Sequence, residues 1–302
     1  MESATAPAVP RRFRLAGPLV VLLALTAAGG GAAELRLVEA ERFELPYPDY
    51  VEPVAVAAGP LGQLFIADRG RGTVLRVGAG GRVEYEFESP SAQPGLQPLD
   101  LEVTGFQVYV LDALSKSLLR FTQEGGYLDL LQNFTGRTSG MPTALSVDGT
   151  GRVLVVDPSR HAVLLVDEEQ QIESVIGGFG ARPGELSRPT GVAFAAHGAF
   201  YVADTGNRRV QRYDEVGNYA GTLVTSLVEP RGLATSSDGV VFVADAGGSV
   251  HALTTRPEDL RQHAVLELPG LQPVDVSVQG ETLWVLSRQP RLLLRVDIVR
   301  GQ

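Results

Sequence analysis

Five aspartates recur at one place in this sequence: Asp68, Asp112, Asp157, Asp204 and Asp245 each end a short apolar run and precede a turn. A ring of carboxylates is the donor set that a hard cation such as Ca2+ takes. Asp equally accepts backbone N–H bonds in Asx-type turns. Every copy has the same surroundings, and Asp204-Thr205-Gly206-Asn207 is itself turn chemistry. A binding site needs one copy to differ from the rest, so these five are expected to be structural. The sixth position departs from the pattern, with Ser287 in place of Asp.

The four histidines are His161, His197, His251 and His263. They show no short ligand spacing such as His-x-x-x-His, so no metal site is expected. No nucleophile elbow, phosphate loop or cysteine is present, so no catalytic residue and no cofactor is expected. The cations are more suggestive. The turns after the recurrent position carry Arg69 and Arg71, Lys116, Arg160, Arg208, and Arg288 with Arg291. On one face they would recognise an anionic polymer or an acidic protein partner, since Arg suits carboxylate pairing. The alternative is scattered, solvated charge. Arg209 belongs to the repeat pattern and is expected to brace its blade.

These residues need a scaffold, and the scaffold repeats. A Pro is followed 14 or 15 residues later by the strand-ending Asp, from Pro53 and Asp68 through Pro98, Pro142, Pro189, Pro230 and Pro273. From Asp68 to Ser287 the marks fall 44, 45, 47, 41 and 42 residues apart. Each period holds short runs rich in Val, Leu and Phe, separated by Gly-bearing turns such as Gly80-Gly81, Gly125-Gly126 and Gly217-Asn218. Four short strands in roughly 40 to 45 residues are a propeller blade. The expected fold is therefore all-β, a six-bladed β-propeller over residues 34–302. The sixth period ends too soon for a fourth strand, and Arg42-Phe43-Glu44-Leu45 stands before the first without a blade. That N-terminal strand is expected to complete the last blade and close the ring.

Pro189-x-Gly191-Val192-Ala193 and Tyr201-Val202-Ala203-Asp204-Thr205-Gly206-Asn207-Arg208-Arg209-Val210 resemble the NHL repeat, and the preceding Gly177 to Leu186 resembles its usual linker. The likeness is strongest in the fourth repeat and weakest in the second, third and sixth. It implies a six-bladed propeller. It leaves activity open, because such propellers include protein-binding and RNA-binding modules, extracytoplasmic sensors and a lyase branch.

Composition narrows the choice. The chain of 302 residues is 44% hydrophobic and carries a net charge of −9, which disfavours nucleic acid, whose phosphates it would repel. Residues 1–33 read as an export signal: Arg11, Arg12 and Arg14, an apolar stretch from Leu15 to Ala28, then small residues to Ala33. The apolar stretch is short for a membrane span. Contact with a membrane is expected only through this segment, if it stays uncleaved. The sequence thus points to a periplasmic or secreted propeller, without catalysis, that binds a protein or polymer through its loop-bearing face. The competing expectation is an enzyme of the lyase or lactonase kind with a metal at the channel mouth. The long connections Glu88–Gln97, Gln132–Gly140 and Gly177–Arg188 are candidate rims of that face. Thr254–His263, with Pro257 to Leu260 in a short helical turn, falls on the opposite one.

Overall fold

The computed structural model describes residues 14–16, 35–45, 49–78, 83–90, 95–136, 138, 140–169, 171–195, 198–255 and 263–301. Six antiparallel sheets form a ring. The fourth blade shows the plan: Gly191–Phe194 innermost, then Phe200–Asp204, Arg209–Tyr213 and Tyr219–Thr225 outermost. The other inner strands are Pro53–Ala58, Pro98–Thr104, Leu145–Val147, Pro230–Thr235 and Pro273–Gln279. Each packs on the next, and the sixth packs on the first.

Burial follows position in the blade. Four of the six second strands, Leu64–Asp68, Val153–Asp157, Phe200–Asp204 and Val240–Asp245, are buried at every residue. They are covered on both faces by neighbouring blades, so they read as continuous apolar runs rather than alternating ones. The outer strand Ile172–Gly177 faces solvent on one side and alternates. Six apolar clusters result, one in each gap between blades. Phe65, Phe87 and Phe121 fill the gap between blades one and two. Leu45, Ile66 and Leu286 fill the gap between blades six and one. At roughly 1.5–3 kcal/mol for each fully buried large side chain, these gaps hold the ring together.

Leu35–Glu44 takes the fourth position of the sixth sheet, hydrogen-bonded along Leu292–Arg300 from Leu35↔Arg300 to Glu44↔Leu292. It begins seven residues before the strand expected at Arg42. Leu35 and Leu37 enter the apolar cluster between blades five and six. The export segment falls on residues 1–33, of which only Arg14–Ala16 is described, as a three-residue strand against Arg42–Glu44. The helical turn expected at Pro257–Leu260 and His197 lie outside the described residues. Among the described residues no helix is long and apolar enough to cross a membrane.

Candidate functional site

The chain enters each blade at the face where the second strand ends, so the recurrent aspartates and the inter-blade connections share one face. Their hydrogen bonds define their work. Asp68 accepts from Arg71 N at 3.0 Å, within its turn, and from Val51 N and Glu52 N at 2.7 and 2.8 Å, in the incoming connection. Asp245 does the same with Gly247 N, Val228 N and Glu229 N. Asp112 takes Ser115 N and Gln97 N, and Asp157 takes Ser159 N and Arg160 N. Ser287 accepts Gln272 N at 3.1 Å, the same bond from a neutral hydroxyl. Beyond the expected turn, Asp68, Asp112 and Asp245 thus also pin the incoming connection. A buried carboxylate supplied with two or three N–H groups is satisfied without a metal.

Asp204 is the fullest case, with Ser187 N at 2.7 Å, Asn207 Nδ2 at 2.8 Å and Arg209 Nε at 2.7 Å. Arg209 then reaches the carbonyls of Ala181, Arg182 and Glu185, and Gln211 Nε2 also donates to Glu185 O. The connection over 177–188 is therefore fastened to blade four along its length.

The turn cations do not form one bare patch. Arg69 pairs with Glu52, and Arg288 approaches the same carboxylate at 3.7 Å. Arg71 pairs with Glu86 at 3.1 Å and donates to Asp49 O. Arg291 donates to the carbonyls of Tyr50 and Val51, fastening the sixth blade to the strand entering the first. Arg160 is exposed beside its turn. Lys116 and Arg208, both exposed, occupy the left-handed corner of their turns at φ 52° and 56°. His161 takes that corner in blade three, accepting Arg188 N at 2.9 Å and packing on Phe179. His251 and His263 meet on the outer half of blade five, away from the channel.

What the face surrounds is a channel of about 340 Å³ down the centre of the ring, lined by the inner strands. Arg69, Arg231 and Arg288 stand in its lining on the side of the turns. Deeper, the wall is one-sided. Two residues after the leading Pro, the six strands carry Ala55, Asp100, Ala144, Gly191, Gly232 and Asp275. Four residues after it they carry Ala57, Glu102, Ser146, Ala193, Ala234 and Ser277. The carboxylates come from blades two and six, on either side of blade one. Blades four and five have to be bare there. A Cβ at Gly191 would sit 1.9 Å from Arg231 O, and one at Gly232 would sit 2.5 Å from Asp275 Oδ1.

Each carboxylate bridges blades. Asp100 accepts Leu145 N at 2.7 Å from blade three, Glu102 accepts Val147 N at 3.3 Å, and Asp275 accepts Val56 N at 2.8 Å from blade one. Those N–H groups favour the charged form. Enclosure by the ring opposes it more strongly, even though the three side chains are half-buried and line the channel. Burial lifts Asp100 to about 7. Burial, with the charge of Asp100 beside it, lifts Glu102 to about 8. Asp275 is raised well above the usual carboxylate range by burial and then by Asp100. The three hold fewer than three negative charges at neutral pH, so they can take up or release protons when a charge arrives. Among the described residues no three His, Cys, Asp or Glu side chains are placed to hold one metal ion.

None of these carboxylates, nor Arg231, stood out in the sequence. The signal was present in the repeats: Pro98-Leu99-Asp100 and Pro273-Val274-Asp275 carry an acid where the other four carry Ala or Gly.

A six-bladed β-propeller with a one-sided acidic channel is the class that this fold and site define. The chain is a propeller carrying an NHL repeat, for residues 186–213 match the NHL repeat model. NHL-repeat-containing protein 4 of Mus musculus is 31% identical over 98 residues, 31% of this chain and 64% of that protein. The chain thus spans less than two thirds of that relative's length. A catalytically inactive virginiamycin B lyase from Staphylococcus aureus with quinupristin superposes with a TM-score of 0.65 at 13% identity, over 88% of this chain and 100% of that one. A putative gluconolactonase gives a TM-score of 0.65 at 16% identity, over 89% and 94%. A nidogen/laminin complex gives 0.61 at 18%, over 74% and 85%. At such identities the likeness is one of fold, and it spans enzymes and a binding complex alike.

Proposed function

We propose that this protein is an exported, non-catalytic propeller that binds a protein partner through its loop-bearing face and takes a charged group of that partner into the channel mouth. The observation that carries this reading is the asymmetry of the channel. Three carboxyl groups on one wall lie below Arg69, Arg231 and Arg288 in a space of about 340 Å³. The arginines favour an acidic group at the rim, and Arg69 and Arg288, which share Glu52, and Arg231, paired with Glu229, can each exchange that carboxylate for the partner's. The inner wall favours a cation. An ammonium arriving beside Asp100, Glu102 and Asp275 lowers their pKa values, ionises them and gains a full ion pair in a low-dielectric space. The ligand class is a mixed-charge group, such as a chain terminus or lysine next to an acidic residue. The N-terminal segment supports export, and the acidic net charge argues against nucleic acid.

The test uses tetrapeptides with a free N-terminal ammonium beside Asp or Glu, against the same peptides N-acetylated, read by ligand-observed NMR. The free amines are expected to bind at least about tenfold more tightly. The D100N/E102Q/D275N protein should lose that preference. Equal binding of acetylated and free peptides would remove the reading.

One observation favours a second reading, an enzyme of the lyase or lactonase kind. Carboxyl groups poised at about 7 and about 8 suit proton transfer at neutral pH. That reading predicts turnover of a lactone or cyclic ester that disappears in E102Q.

A further inference from the structure

Blade five carries imidazoles at two diagonally neighbouring positions of its third and outer strands. The residue two beyond the partner of the strand-ending Asp or Ser is Leu75, Leu119, Leu164, Gln211 and Leu294 in the other blades; in blade five it is His251. The first residue of the outer strand pairs with the end of the third strand, and there Val83, Tyr127, Ile172 and Tyr219 give way to His263. Aliphatic or aromatic side chains fill both places in blades one to three, while blade four carries Gln211 at the first of them, bonded to Asp204 and to Glu185 O, so packing alone does not require the imidazoles. We propose that His251 and His263 form a two-imidazole site for a divalent transition metal ion such as Zn2+.

The geometry supports it from both sides. His251 Nδ1 and His263 Nε2 face each other at 2.8 Å, with their rings 5.1 Å apart. The other nitrogen of His251, Nε2, lies 2.9 Å from Ser249 Oγ and 3.9 Å from Asp245 Oδ2. A hydroxyl and a carboxylate on that side favour a proton on Nε2, which leaves the Nδ1 lone pair directed at His263. Ligating histidines are commonly oriented in this way, by an oxygen acceptor on the far ring nitrogen. His263 supplies its Nε2 lone pair by moving its proton to Nδ1 through solvent, so no net charge is released. Two nitrogens each about 2.0–2.1 Å from a tetrahedral zinc lie roughly 3.3 Å apart. The present gap must open by about half an ångström. His263 is exposed at the first residue of His263–Glu267 and has room to move. His251 is neutral at neutral pH, pushed down to about 4 by burial and then by His263, and the shielded part of the otherwise exposed His263 ring lowers that imidazole as well. Water completes the coordination. Bound metal would clip the outer strand of blade five to the third.

The experiment titrates the full chain, stripped with EDTA, with Zn2+ alone by isothermal calorimetry. One equivalent is expected to bind to the wild type. His251→Leu and His263→Tyr restore the residue types of the other blades and are expected to abolish this binding while keeping the far-UV spectrum and melting temperature. Ser249→Ala keeps both ligands and frees the Nε2 side, and is expected to weaken binding about tenfold. The proposal is overturned if the wild type takes up no Zn2+ at millimolar concentration, or if His263→Tyr binds as the wild type does.

Discussion

Glu102 is a carboxyl group whose folded pKa lies above its unfolded one, and the sign of its effect follows. Such a group favours the folded state below the unfolded value, and the advantage is lost as pH rises through the folded value. With Glu102 at about 8, the protein is expected to lose stability between pH 5 and pH 9. E102Q should flatten that limb by up to about 5 kcal/mol, as chemical denaturation at a series of pH values would show. A wild-type stability that rises over the same window would contradict the placement of Glu102. Arg208 makes a second residue-level case. Its φ of 56° is costly for a side chain with a Cβ. R208G is expected to raise stability by about 0.5–1 kcal/mol in a thermal melt, whereas R208A should leave it near the wild-type value. At this scale the sequence was partly legible. The aspartates at strand ends could be read because their context repeats. Asp100 and Asp275 were hidden because an acid inside a strand looks like surface charge until the ring turns that strand inward. The turn arginines were visible, but their local carboxylates Glu52 and Glu86 come from other segments and gave no signal.

Among the elements, the connection over 177–188 and the strand Leu35–Glu44 carry the clearest expectations. Arg209 is the hub between blade four and its incoming connection, and Asp204 beneath it is fully buried. R209A leaves that carboxylate short of its cation and takes a donor from the carbonyls of Ala181, Arg182 and Glu185, of which Arg182 keeps Glu185 N and Glu185 keeps Gln211 Nε2. A loss of about 3 kcal/mol or more is expected by urea denaturation. Residues 35–45 bring Leu35, Leu37 and Leu45 into the gaps that flank blade six. Three buried leucines are together worth roughly 5–9 kcal/mol, comparable with the whole stability of an ordinary domain. Deleting 35–45 is therefore expected to abolish cooperative unfolding of the entire ring, as calorimetry would show. If a cooperative transition survives near the original temperature, this strand is not what closes the ring. Strand order and period were legible because turn glycines and the leading prolines punctuate every blade. The start of the N-terminal strand was not, since Leu35 to Glu39 alternates only weakly and its partner lies some 260 residues away.

For the whole molecule, closing six sheets into a ring turns local repetition into one central space that is not repetitive. Blades one, four and five contribute small residues, while blades two and six contribute acids, so identical scaffolding yields a directional channel. That asymmetry is the basis for reading the protein as a binder of a mixed-charge group, and it makes protons part of the binding reaction. A cation entering the channel at pH 7 should ionise carboxyl groups that were partly protonated and send their protons to the buffer. The direct measurement is calorimetric titration with a free-amine tetrapeptide in two buffers of different ionisation enthalpy. About half a proton to one proton released per peptide is expected for the wild type, falling to zero in D100N/E102Q/D275N. Binding without proton release in the wild type, or with the same release in the triple variant, would show that the carboxylates of the channel are not where the partner's charge goes.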